Sequence, residues 1–145
     1  MLTLSPETLI RVLTEIGESV CKSGVRKLVI VNSHGGNSPV IDIVIQKLRT
    51  ERKMLAVAAS WSRFGLPEGL FPAEEKAFGI HGCAIETSLM LHLRPDLVKM
   101  EKAKYFRSKD EDWADDLKYV GVAGAPVKVG WLMHDLNEDG VAGDP

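Results

Sequence analysis

At 145 residues, 45% of them hydrophobic, the chain is long enough to bury one core. Its formal net charge of −2 leaves no basic excess for nucleic acid, and no apolar run is long enough to cross a bilayer. The first residues lack the layout of a secretory leader, and Cys21 and Cys83 form no C-x-x-C pair, so two free thiols in the cytoplasm are expected.

Ser5 reads as an N-cap and Pro6 as the first helical residue, where its missing N–H costs nothing. Leu9, Ile10, Leu13, Ile16, Gly17 and Val20 then trace one apolar face, and Gly24 supplies a left-handed stop. Leu28 to Val31 reads as a strand too apolar to have one wet face. A second helix is expected from about Pro39 to Arg52, with Val40, Ile43, Val44 and Leu48 inward. Its β-branched run Val40 to Ile45 pulls the other way. Met54 to Ala59 is a second short strand. Helix, strand, helix and strand in this order predict an α/β fold with a mainly parallel sheet.

Ser60 to Gly79 carries Trp61, Phe64, Phe71 and two prolines and reads as one long irregular loop, of the kind that is usually functional. Ala84 to Leu93 is a third helix, ended by Arg94-Pro95 because the residue before proline avoids helical geometry. The charge run Lys109 to Asp116 reads as a solvated face. The helical signal follows Met1-Leu2-Thr3-Leu4 almost at once, and the far end stops in a loop at Gly143-Asp144-Pro145. Both ends read as cut from something longer.

Two clusters carry chemistry. Asn32-Ser33-His34-Gly35-Gly36-Asn37-Ser38 places an imidazole at the carboxyl end of a strand, where ligands gather in open α/β sheets. An ordinary strand-to-helix turn explains the same residues with no further reason needed, and spacing alone favours it slightly. The second cluster is His81-Gly82-Cys83-Ala84-Ile85-Glu86-Thr87-Ser88. Five residues apart on one helix, His81 and Glu86 would point in different directions. With His81 in a loop and the helix starting near Cys83 or Ala84, both converge on its amino-terminal end, which favours an ionised carboxylate. Taken singly, Glu86 is an ordinary first-turn acid and His81 an ordinary loop residue.

Taken together, the two motifs strongly resemble the creatininase (creatinine amidohydrolase) family, which typically shows an N-G-H-G-G-N-like turn and then H-A-G-E-x-E-T-S-x-M-L. The helix beginning Leu4-Ser5-Pro6-Glu7 and the closing Gly140-Val141-Ala142-Gly143-Asp144-Pro145 also fit, so the resemblance covers essentially the whole chain as a single domain, 1–145. It implies a three-layer α/β/α fold and a divalent-metal site (zinc, manganese or iron) that hydrolyses a C–N bond of a small non-peptide or cyclic amide. It implies His34 as a metal ligand, Glu86 as a metal ligand or an acid close behind the ligands, and His81 as the residue that positions substrate or moves a proton. Gly35, Gly36, Asn37 and Trp61 would line the substrate pocket, and a homo-oligomer is expected.

The chain departs from the pattern in three places. Ala84 stands where the family usually has an acid, Cys83 replaces a glycine, and Ser33 replaces the glycine before the first histidine. The family's remaining ligands belong to an upstream segment with an E-x-H pair and a later Asp, and neither His92 nor His134 has the spacing to replace them. A second expectation is therefore a non-catalytic domain of the same fold. A phosphate cradle at Gly35-Gly36 is a third, but no G-x-G-x-x-G or Gly-Lys-Ser/Thr loop accompanies it.

Overall fold

In the computed structural model, which describes residues 3–122 and 124–145, helix α1 (Pro6–Lys22) starts where Ser5 turns from extended backbone. The Ser5 hydroxyl accepts the Thr8 N–H at 3.3 Å, and Gly24, at φ +94°, takes the chain out of the helix. Thr14 and Gly17 are the buried residues of α1, with Ile10, Leu13 and Val20 beside them. Ile16, expected inward, is exposed because it lies roughly 100° round the helix from that stripe.

Strands β1 (Lys27–Asn32) and β2 (Leu55–Ser60) pair in parallel, Val29 opposite Val57 and Asn32 opposite Ser60, and α2 (Ser38–Arg52) makes the crossover between them. The β-branched run does not prevent the helix, because Val40, Ile41, Val44 and Leu48 all reach the core. Ile41, not the expected Ile43, takes the inward position; Ile43 is exposed. Val44, Leu48 and Met54 are completely buried, and Ile10, Leu13, Val20, Leu28, Ile30 and Ala56 pack around them. Both helices thus cover one face of the sheet. The pleat sends Val29 and Val31 to the other face, where they are 60% and 69% exposed, so β1 has the wet face that its composition argued against. These elements form one compact unit, Met1–Leu66.

Pro67–Pro145 form a second. The stretch expected to be irregular contains a 3-10 turn, Trp61–Phe64, and a short helix α3 (Ala73–Phe78). Helix α4 (Ala84–Leu93) has the expected bounds and ends at Arg94, which leaves helical geometry before Pro95. Helix α5 (Lys109–Asp116) opens with a capping box between Ser108 and Glu111. The charge run is not wholly solvated: Asp110 is buried, and its Oδ1 accepts the Val122 N–H at 3.2 Å. Two-residue strands β3 (Val120–Gly121) and β4 (Val127–Lys128) pair in parallel, and α6 (Met133–Leu136) follows. Cys83, Val122, Leu136 and Ala142 are this unit's buried apolar residues. No helix among the described residues is long and apolar enough to cross a membrane.

Candidate functional site

The first cluster is built by the end of β1. Asn32 is 5% exposed, and its side chain is used at both ends. Its Oδ1 accepts the His34 N–H at 3.2 Å and its Nδ2 donates to Ser38 Oγ at 3.1 Å, tying the turn to the start of α2. The Asn37 N–H closes the turn on the His34 carbonyl at 3.0 Å. His34 is exposed, and its ring lies over Gly36: a Cβ there would come within 2.8 Å of Nε2. Gly36 is therefore needed for the approach of the imidazole, whereas a Cβ at Gly35 would meet nothing. Trp61 lies one residue beyond β2, partly exposed.

The second cluster lies in Pro67–Pro145. His81 is in the loop before α4, Cys83 is the N-cap residue, and Glu86 is in the first turn. Glu86 turns back along the helix, so Oε2 accepts the Gly82 N–H at 3.1 Å and Oε1 stands 3.5 Å from His81 Nδ1. Imidazole and carboxylate meet because they occupy different backbone conformations. Gly82, at φ +64°, supplies the bend between them. His81 is further held by an antiparallel bridge to Ala142: the Ala142 N–H donates to the His81 carbonyl at 2.9 Å and the Ile80 N–H donates to the Ala142 carbonyl at 2.8 Å. The Gly140–Pro145 motif is thus part of the same cluster. Burial pushes the Cys83 thiol above its usual range, which suits a packed side chain better than a soft ligand.

Sequence reasoning passed over Glu75 and gave Asn32 no separate role. Glu75 is 6% exposed and accepts backbone N–H groups of Ala84 and Asp144. A cleft of about 270 Å³ opens beside it, walled also by Phe78, Tyr105 and Glu111. No local spacing marks Glu75, since its partners are nine and 69 residues away. Asn32, ending a strand ahead of a turn, had the visible signal of an Asx side chain at a bend.

His34 offers an imidazole nitrogen and Glu86 a carboxylate oxygen, which are the right donor types for a divalent metal. Among the described residues, no three His, Cys, Asp or Glu side chains are grouped to hold one. The donor chemistry fits the group, but the donor number does not reach the three protein ligands that a catalytic zinc keeps.

A family model described as "Creatininase: Creatinine amidohydrolase" matches residues 1–145. Creatinine amidohydrolase of Pseudomonas putida is 32% identical over 111 residues, which are 69% of this chain and 43% of that protein. A crystal structure of creatinine amidohydrolase (creatininase) is similar with a TM-score of 0.57 at 30% identity, over 74% of this chain and 46% of that one. A mutant creatininase complexed with creatine gives 0.58 at 28% identity, over 74% and 47%. A mutant of the Zn-Zn type gives 0.57 at 28%, over 74% and 46%. The chain spans less than half the length of each of these relatives.

Proposed function

Because the chain belongs to the creatininase family, we propose that it works as a divalent-metal-dependent amidohydrolase acting on a C–N bond of a small non-peptide or cyclic amide. The observation that carries this reading is the meeting of His81 and Glu86 at the start of α4, in a motif otherwise written like the family's. In this reading His34, in the first unit, and Glu86, in the second, each offer a metal donor, with zinc, manganese or iron as the ion. The Zn-Zn type relative supports a metal in the family. When bound, the metal supplies an activated water and polarises the carbonyl.

His81 is the acid. Amide nitrogen leaves poorly as an anion, so the C–N bond breaks only as a proton reaches it, and an imidazolium can deliver that proton near neutral pH. Glu86 Oε1, 3.5 Å from Nδ1, sets which way the ring faces. Gly35, Gly36, Asn37 and Trp61 shape the substrate pocket. The unpaired cysteines support a reducing, cytoplasmic setting. The exposed Val29 and Val31 support assembly into a homo-oligomer, because parallel sheets are normally covered on both faces.

Metal content per chain, measured by elemental mass spectrometry after gel filtration, tests this reading. About one or more zinc, manganese or iron per chain, lost in His34→Ala, is the expected result. Metal-free protein after incubation with each ion would favour a second reading, a non-catalytic domain of the same fold. That alternative draws on Ala84 standing in the usual acid position and on the lack of a three-donor group among the described residues.

A further inference from the structure

We propose that Glu75 is the positioning residue of this site, a buried carboxylate that sets where His81 stands relative to Glu86. The inference rests on the reading of His81 as the acid.

Glu75 lies within α3, where a charged side chain at 6% exposure must be satisfied or be very costly. Among the described residues its hydrogen bonds are to backbone. Oε1 accepts the Ala84 N–H at 2.6 Å and Oε2 accepts the Asp144 N–H at 2.9 Å. Ala84 opens α4, so the carboxylate takes one of the helix's unpaired first-turn donors and meets the positive end of its dipole. Asp144 lies two residues beyond Ala142, which makes the isolated antiparallel bridge to His81. One side chain therefore holds the His81 loop from both sides, through the helix after it and the bridged segment beside it.

The fit leaves little slack. A Cβ at Gly79 would come within 2.9 Å of Glu75 Oε1. At Gly143 it would come within 3.1 Å of that same oxygen and 2.5 Å of Cys83 Cβ. Two glycines thus close around the carboxylate and the cysteine that precedes α4. Glutamine at 75 has the same shape, but its amide must turn N–H groups toward one of two backbone donors. It keeps one bond and opposes the other.

The test uses the full chain with Glu75→Gln, followed by nuclear magnetic resonance and by kinetics. Amide exchange at Ala84 and Asp144 should accelerate by about tenfold or more, while Val44 and Leu48 amides in the other unit keep their rates. The nuclear Overhauser contact between the His81 ring and the Glu86 side chain should vanish, and kcat should fall with KM little changed. Unchanged exchange at both amides, or a retained His81–Glu86 contact, overturns the proposal. Neither readout needs turnover, so a wild-type chain without amidohydrolase activity sinks the functional reading and leaves Glu75 to be judged alone. If Glu75→Gln unfolds its unit, Glu75→Asp, which keeps the charge but is one methylene too short to reach both amides, is read by the same signals.

Discussion

Glu86 Oε1 stands 3.5 Å from His81 Nδ1 while its Oε2 accepts the Gly82 N–H, so one side chain both caps the approach to α4 and faces the imidazole. The two duties separate by substitution. Glu86→Gln retains an oxygen for the Gly82 N–H but loses the charge opposite His81. It should lose bound metal and turnover with little change in thermal midpoint. Glu86→Ala removes the backbone bond as well and should cost a further ~1 kcal/mol. Calorimetry beside metal analysis distinguishes them, and equal destabilisation by both substitutions would contradict the assignment.

At Gly36 the constraint is the histidine ring. Gly36→Ala places a methyl group 2.8 Å from the present position of His34 Nε2, so the ring must swing away. Metal uptake should weaken while the fold survives, because a side-chain end can move where backbone cannot. Gly35→Ala, with open space around its Cβ, is the control and should bind metal like the wild type.

Gly17 has a different reason to be small. A Cβ there would overlap the end of Leu48, which is completely buried. Gly17→Ala should lower stability by about 1–3 kcal/mol through overpacking, although alanine is the better helix former. Denaturant unfolding would show it, and a stabilised variant would mean that α1 and α2 adjust freely.

The Tyr105 hydroxyl donates to Glu111 Oε1 at 2.7 Å, and that bond, more than burial, holds the phenol's pKa up at about 12. A phenol whose pKa rises on folding binds its proton more tightly in the native state. Its contribution is complete below the unfolded value of 10.0 and is lost as pH climbs through about 12. Wild type should therefore lose stability over that window relative to Tyr105→Phe. Parallel alkaline unfolding curves would contradict the hydrogen bond.

What the sequence makes legible is local. Ser5 and Pro6 set the start of α1, Arg94-Pro95 sets the end of α4, and the strand, turn and helix around His34 follow from punctuation alone. The meeting of His81 and Glu86 follows from placing the first helical residue at Ala84. Long-range contacts leave no such trace. Glu75 looks like any acid in a first turn until Asp144 arrives, and Asp110 looks solvated until the Val122 N–H reaches it. The face of β1 was misjudged for a related reason: composition records that Val29 and Val31 are apolar, not whether anything lies over them.

Hydrolysis of creatinine and of small linear amides by the zinc- or manganese-loaded chain, compared with His81→Ala carrying the same metal, tests the functional account most directly. Turnover by the wild type that falls by about 10²–10⁴-fold in the variant is the predicted result. Undiminished turnover in His81→Ala, or none from a fully loaded wild-type chain on any of these amides, would contradict it.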